Sequence, residues 1–451
     1  MTHLEEVADR LNRMVKLALD TGEASSLEEA QRIFAGYRLQ IIVGADVAQE
    51  PVLQAALLTA VNCAVRTLLG GVTVVGATGA LRVLLPPFGD LEEAIVGLGG
   101  RLIRETNPET STLVIGEVDE KGLEPLAIRA TFNEWCGGVV PVANHERLAE
   151  TGAFTPAGVL AGALGVSEIF QRLRGGMPMA CRRGVGLNLW RPERDWLRGE
   201  FAPALDCLPS AAWLVGLGNL GQAYLWTLGL LPYGGEGAEL VLQDIDVLAP
   251  SNLSTSLLTT PERLGRRKTR AMADWAEVRG FKTAIIERGF GADFHIGPRE
   301  PPVALIGVDN ALARQSVEDV GFERVIEAGL GGGLQDFLGI DLHTFPASKP
   351  AREVWRDTAV SDIDLGQPAY KAMLEQSKDQ CGIVRLAGRT VGAPFVGSAA
   401  AALVIAELMR LTLGGARYEM ISCHLRDLEG RFVVGGNPWS AFNPGGIRLA
   451  A

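Results

Sequence analysis

An apolar run, Trp213-Leu214-Val215, passes without a break into Gly216-Leu217-Gly218-Asn219-Leu220-Gly221 and then into a helix-length segment, Gln222 to Leu230. A strand, a glycine turn and a helix in that order form the opening βα unit of a parallel sheet, so an α/β fold is expected here. Without side chains at Gly216 and Gly218 the backbone can approach phosphates, and the helix amino end favours their charge. Gly221 permits close packing of helix on strand. These three glycines predict a nucleotide site.

The next segments carry polar residues at the matching place. A second apolar run, Glu239 to Leu242, ends in Asp244-Ile245-Asp246, and Asp244 lies 23 residues past Gly221, where an acid commonly binds ribose hydroxyls. Then come Ser251-Asn252-Leu253, a lone Gly265 with Lys268, and a third run, Val303 to Val308, closed by Asp309-Asn310. Each sits just past the carboxyl end of a predicted strand, where open α/β sheets bind ligands. Asp244, Asp246, Asn252 and Lys268 are therefore expected round the nucleotide. The Lys268 ammonium acts as a point charge on phosphate oxygens. Asp309, an isolated acid after a strand, is a natural Mg²⁺ ligand. The glycines and Asp244 alone would equally suit an NAD-dependent oxidoreductase, but that reading leaves Asn252, Lys268 and Asp309 without work. A nucleotide-binding scaffold without catalysis is a third reading.

Bulk properties narrow the class. A chain of 451 residues exceeds one ordinary core, so two or three domains are expected. The formal net charge is −11 with no run of five basic residues, which argues against nucleic acid as a partner. The polar start, Met1-Thr-His-Leu-Glu-Glu, does not read as a signal peptide. Pro394 to Leu413 is the longest apolar stretch, but it carries Glu407 and Arg410 and reads as a buried helix rather than a membrane span. The six cysteines include no Cys-x-x-C pair, so reduced thiols, no structural zinc and a cytoplasmic protein are expected.

The order of elements occurs twice. Residues 1–35 read as amphipathic helices, followed by a strand ending in Ile42-Val43-Gly44-Ala45-Asp46 that matches Trp213-Leu214-Val215-Gly216. Thr112 to Val118 matches Val303 to Val308. The helix from Thr155 to the Gly175-Gly176 cap mirrors Ala393 to Gly414-Gly415: proline opens both, and Glu168 and Glu407 occupy matching places. The first copy has lost its phosphate loop, because Ala45-Asp46 follows Gly44 with no third glycine. The second copy carries the insertions, mainly around 250–268 and 345–392.

This set of motifs resembles the ThiF-like adenylating superfamily, which includes the activating enzymes for ubiquitin-like proteins. The residues that carry the resemblance are Gly216 to Gly221, Asp244-Ile245-Asp246, Ser251-Asn252-Leu253, Gly265 with Lys268, and Asp309-Asn310, and it covers about 200 to 440. It implies two Rossmann-like adenylation domains in tandem that pair within one chain as a pseudo-dimer. Residues 1–185 would be an inactive, degenerate domain with N-terminal helices. Residues 186–451 would be the active ATP-binding domain, with a crossover segment at about 345–392. The implied activity is ATP- and Mg²⁺-dependent adenylation of the carboxyl terminus of a ubiquitin-like protein ending in glycine. Thioester formation on a cysteine and transfer to a conjugating enzyme would follow. Within the superfamily, a sulfur-carrier or peptide adenylyltransferase is the alternative; the former commonly holds zinc by paired Cys-x-x-C, which this sequence lacks.

Lys268 and Asp309 are the expected catalytic residues of adenylation. Cys381 is the expected thiol nucleophile: it sits in the polar stretch Gln376 to Gly382 just before the last helix, where similar enzymes cross over the substrate tail, with Lys378 and Arg385 placed to lower its pKa. Cys423 lies in an alternating strand and is expected to pack in the sheet, with His424 on a solvated face. Cys63, Cys136, Cys181 and Cys207 belong to the first half or the linker. The pattern departs from the family at one point, where Thr255 and Ser256 replace an arginine and a glutamine. Arg38, Arg263, Arg266 and Arg267 are the candidates to replace that arginine.

Overall fold

The computed structural model describes residues 9–198, 202–235, 237–331, 333, 336–356, 364–376, 379–437 and 442–449; for Cys381 it describes the backbone alone. Lys378 and the middle of the crossover segment, 357–363, lie outside the described residues.

The N-terminal part supplies α1 (Lys16–Asp20) and α2 (Leu27–Ala35), the latter capped by the Ser26 side chain. Seven strands follow: β1 (Arg38–Val43), β2 (Gly71–Val75), β3 (Arg101–Leu102), β4 (Thr112–Ile115), β5 (Ile128–Asn133), β6 (Cys136–Pro141) and β7 (Val185–Asn188). They are ordered β3-β2-β1-β4-β5-β6-β7, parallel from β3 to β5 and antiparallel beyond. Helices α3 (Pro51–Thr67), α4 (Leu91–Gly97) and α5 (Thr155–Arg174) complete this half. The short β8 (Cys207–Pro209) leads out of it and pairs with the C-terminal end of the chain.

The second half repeats the plan. Strands β9 (Ala211–Val215), β10 (Glu239–Gln243), β11 (Lys282–Ile286), β12 (Val303–Ile306), β13 (Arg324–Leu330), β14 (Gly339–Phe345), β15 (Tyr418–His424) and β16 (Asp427–Gly435) form a sheet ordered β11-β10-β9-β12-β13-β14-β15-β16, while β17 (Gly446–Arg448) pairs with β8. Its parallel strands run from β11 to β13. The helices are α6 (Asn219–Gly229), α7 (Lys268–Glu277), α8 (Ala311–Gln315), α9 (Ala351–Val354), α10 (Pro368–Gln376), α11 (Gln380–Ala387) and α12 (Pro394–Leu413). Except for the extra edge strand β16, the two sheets have the same order, so each half is a mostly parallel sheet flanked by helices, as the repeated pattern predicts.

The twin helices also match in detail. Each ends at a glycine with positive φ, Gly175 at 75° and Gly414 at 71°. In each, a buried glutamate faces the chain beyond the helix: Glu168 accepts from the Cys181 N–H at 2.8 Å, and Glu407 from the Tyr418 N–H at 3.4 Å. The apolar α12 is long enough to cross a membrane by composition, yet it is buried almost throughout, with Arg410 paired to Glu407 inside the fold.

Helices α3, α5, α6 and α12 pack together where the halves meet. A Cβ at Gly158 would lie 2.0 Å from the Val52 carbonyl oxygen, so only glycine lets α5 lie this close to α3. Across the junction Trp226 donates to the Thr59 hydroxyl at 2.9 Å, Asn62 to the Leu257 carbonyl at 3.3 Å, and Phe170 packs on Phe395. Burying side chains of this size contributes about 1.5–3 kcal/mol each. The halves therefore share one core.

Candidate functional site

The register of the second sheet sets where the site lies. Val215 pairs with Gln243 on one side and Ile306 on the other, so β9, β10 and β12 stop at one level and their following turns open along one edge. A cleft of about 510 Å³ occupies that edge. It is lined by Gly216, Gly218, Asp244, Asp246, Lys268 and Asp309 among others, residues far apart in sequence and singled out there as a nucleotide site.

The glycine turn has distinct local demands. Gly216 has φ 82° and a Cβ there would meet Val308 at 2.8 Å. At Gly218 a Cβ would meet nothing within 4 Å, so the turn is open on the cleft side. Gly221 lies behind: its Cβ would come 1.9 Å from the Gly216 carbonyl oxygen. These three positions leave backbone exposed at the start of α6, which suits an anion.

Asp244 braces this turn. One carboxylate oxygen accepts from the Leu217 N–H at 2.7 Å and the other from the Asp246 N–H at 2.8 Å. Lys268 is delivered by a local return of the chain: Gly265, at φ 80°, lets its N–H reach the Leu248 carbonyl, and the Lys268 N–H reaches the Asp246 carbonyl at 3.0 Å. The Lys268 ammonium then stands 2.8 Å from the exposed Asp246 carboxylate and 3.5 Å from the buried Asp244 carboxylate. A phosphate entering the cleft competes with a solvated carboxylate for this ammonium. Asp309 is exposed on the cleft wall, and Asn310 caps α8 with its side-chain oxygen.

Several expectations need correction. Asn252 does not line the cleft; its side-chain oxygen accepts from the Ala249 N–H at 2.9 Å and stabilises the turn Pro250–Ser254. None of the four arginines proposed in place of the missing one lines the cleft either. Arg38 opens β1 at the opposite end of its strand. Arg263 donates to the Leu258 carbonyl and to the Ala271 carbonyl of α7, Arg266 pairs with Asp274 at 2.5 Å, and Arg267 donates to the Ile245 carbonyl at 2.5 Å. Arg385 is engaged by both oxygens of Asp9 at 3.0 Å.

Three other arginines line the cleft, Arg13, Arg288 and Arg314, and of these Arg13, from the first half of the chain, is the one beside Thr255. Its backbone N–H donates to the Ser254 hydroxyl at 3.2 Å, and a terminal nitrogen reaches the Thr390 carbonyl at 3.4 Å. Burial, and then the neighbouring Arg389, push its pKa down to about 10 against the pull of Asp9. An arginine so destabilised in its charged form is relieved by an incoming anion. No sequence motif marks Arg13; the only signal was the want of a guanidinium at Thr255.

Cys381 lies near the start of α11, whose first turn is capped by the Asp379 side chain accepting from the Gly382 N–H at 2.9 Å. It thus belongs to a helix of its own rather than to a loop. The segment after α11, Thr390 to Gly392, lines the cleft. Cys63, Cys181 and Cys423 are buried, and burial pushes each thiol up to about 12, which disfavours a thiolate at any of them.

In the first half the same edge is filled by the chain itself. After Gly44 a short 3₁₀ turn, Ala45–Ala48, stands where α6 begins in the second half. The Asp46 carboxylate accepts from the Glu117 N–H at 2.9 Å and faces Arg147 at 3.3 Å. A Cβ at Gly44 would lie 2.4 Å from the Asp46 oxygen, so the carboxylate occupies the space over the turn.

The chain matches the BilD C-terminal domain family over residues 208–415 and the BilD N-terminal domain family over residues 38–189. It is 44% identical over 428 residues to the bacterial E1-like protein BilD of Collimonas sp. (strain OK412), with 93% of each chain covered. Among solved structures it is similar to E. coli MccB, at 14% identity and a TM-score of 0.35 over 54% of this chain and 67% of that one. It is also similar to MccB with AMPCPP and MccA, at 17% identity and a TM-score of 0.33 over 51% and 65%. The chain thus spans about two thirds of the length of these MccB chains.

Proposed function

This chain belongs to the BilD family of bacterial E1-like proteins, and from that premise we propose that it uses ATP to activate the terminal carboxylate of a ubiquitin-like protein. The activated protein then passes to Cys381 as a thioester and on to a conjugating enzyme. The observation that carries this reading is the convergence of Gly216, Gly218, Asp244, Lys268 and Asp309 on one cleft, with Arg13 added from the other half.

The chemistry follows from the charges. An oxygen of the substrate carboxylate bonds to the α-phosphorus of ATP as the bridging bond to the β-phosphate breaks. Pyrophosphate leaves with the electron pair, and the product is an acyl-adenylate. Lys268, Arg13 and the open backbone at Gly218 supply fixed positive character where negative charge grows. Asp309 fits a Mg²⁺ that arrives with the nucleotide, because such an ion needs only one or two carboxylates when phosphates complete its shell. When bound there it neutralises phosphate charge. In the second step the Cys381 thiol loses its proton to solvent, its thiolate attacks the acyl carbon, and AMP leaves.

ATP–pyrophosphate exchange, with and without a ubiquitin-like protein ending in glycine, tests both steps. Partner-dependent exchange should vanish in Asp309→Ala and survive in Cys381→Ala, which should lose only the thiol-sensitive adduct. Absence of exchange together with tight NAD binding would move the reading to an oxidoreductase.

A further inference from the structure

On the wall of the cleft away from Lys268 stands a guanidinium that the sequence reading did not use. Arg314 on α8 lines the cleft together with Leu330 and Gly331 from the end of β13. Its Nε donates to the Val308 carbonyl at 2.8 Å and lies 3.1 Å from the carboxylate of Glu327, whose side chain is wholly buried. The other Glu327 oxygen accepts from the Trp355 indole N–H at 2.9 Å, and the guanidinium lies over the Trp355 ring, 4.5 Å from its centre. A Cβ at Gly329 would come within 2.8 Å of an Arg314 terminal nitrogen, so this position keeps that side clear. Among the described residues neither terminal nitrogen of Arg314 donates a hydrogen bond to a protein group.

A guanidinium carries its donors in a planar fork suited to a carboxylate. Holding this one fixed spends a buried glutamate and a glycine of β13 and the indole that ends α9. Its position selects the ligand. The glycine turn, Asp244 and Lys268 belong to the β9 and β10 side of the cleft, whereas Arg314 stands over β12 and β13, with apolar Leu330 and the Trp355 ring beside it.

We propose that Arg314 receives the terminal carboxylate of the polypeptide that the cleft activates, and that Glu327 and Trp355 are positioning residues that aim it. The proposal rests on the adenylation reading. One carboxylate oxygen is held by the fork while the other faces the α-phosphorus, a near-attack arrangement of the two substrates.

The test uses the full-length protein, a non-hydrolysable ATP analogue, and a ubiquitin-like protein with a free C-terminal glycine alongside its C-terminal amide. Calorimetry on the wild type should show the acid bound at least about tenfold more tightly than the amide, the worth of one charge-assisted hydrogen bond. Arg314→Gln should erase that ratio while leaving affinity for the ATP analogue within about twofold, which is the scatter of such comparisons. Glu327→Gln and Trp355→Phe should shrink the ratio and raise the KM for the protein in pyrophosphate exchange without changing the KM for ATP. A ratio unchanged in Arg314→Gln, or nucleotide affinity lost instead, overturns the assignment. Trp355→Phe keeps an aromatic ring but removes the N–H and part of the indole, so if Arg314→Gln fails to fold, an unchanged ratio and KM in Trp355→Phe overturn it equally. A wild type that exchanges pyrophosphate but binds acid and amide alike sinks only this proposal. One that neither exchanges nor distinguishes them sinks the adenylation reading as well.

Discussion

At the scale of single residues, Arg13 and Thr255 are best considered together. The second half lacks an arginine at Thr255, and the first half brings one to the same part of the cleft, desolvated and close to Arg389. Removing a preorganised cation from a developing phosphate charge commonly costs about 10²–10³ in rate. Arg13→Ala should therefore lower kcat/KM for pyrophosphate exchange by about that factor, with Arg13→Lys intermediate and the melting temperature little changed; full activity in Arg13→Ala would remove the residue from the site. Glu327 offers a second residue-scale expectation. Burial, outweighing the Arg314 guanidinium and the Trp355 donor, raises its carboxyl pKa from 4.5 to about 7. The folded state then binds more protons than the unfolded one between these values, so this group's contribution to stability is full below about pH 4.5 and is lost as pH rises through about 7. Denaturant titrations should show wild type losing stability relative to Glu327→Gln across that window; a pH-independent difference would contradict the raised pKa. Gly216, Gly218, Asp244 and Asp309 were legible in the sequence because each follows a strand by a few residues, and strand ends are local features; Lys268 was legible from the lone Gly265 before it, which turns the chain back. Arg13 and Arg314 were not, because their places depend on packing between distant segments, while the Asn252 side chain closes its own turn.

At the scale of elements, the twin helices α5 and α12 were readable from proline, glycine cap and apolar length, all encoded within one continuous stretch of sequence. How closely they pack was not. Gly162 on α5 shows why: a Cβ there would lie 2.3 Å from the Ala56 carbonyl oxygen of α3, a constraint that belongs to the pair of helices. Overpacking of this kind costs typically about 1–3 kcal/mol. Gly162→Val should lower the unfolding midpoint accordingly, while the same change at Gly176, where a Cβ would meet nothing within 4 Å, should have little effect. Equal destabilisation at both sites would contradict the packing account. The crossover segment illustrates the opposite case. The sequence marks it as an insertion, but its described helices are held from outside it: Tyr370 on α10 donates to Asp20 at 2.5 Å, and Arg385 on α11 and Arg389 just beyond it meet Asp9. Two carboxylates near the N-terminus thus hold α10 and the Cys381-bearing α11, and no local pattern records such long-range pairing.

At the scale of the whole molecule, a duplicated fold carries one open site and one filled site, and the filled half contributes Arg13 to the open one. The loss of the third glycine after Gly44 announced the degeneracy; what replaced the phosphate is seen only in three dimensions. Asp46 places a carboxylate over the turn and takes the Glu117 N–H, while Arg147 balances its charge, so the first half meets its own backbone donors with its own anion. A phosphate entering there would have to displace a carboxylate that is already hydrogen-bonded, and would face its negative charge. The second half has the reverse arrangement: Gly218 is open and Lys268 is held by a largely solvated carboxylate. The two edges should therefore differ in nucleotide affinity despite equal strand order. Calorimetric titration with a non-hydrolysable ATP analogue should give one site per chain. Lys268→Ala should abolish that single binding event, whereas Arg147→Ala, confined to the filled edge, should leave it intact. A second site, or binding that survives Lys268→Ala and is lost in Arg147→Ala, would place the nucleotide in the wrong half and undo the asymmetry argued from Asp46.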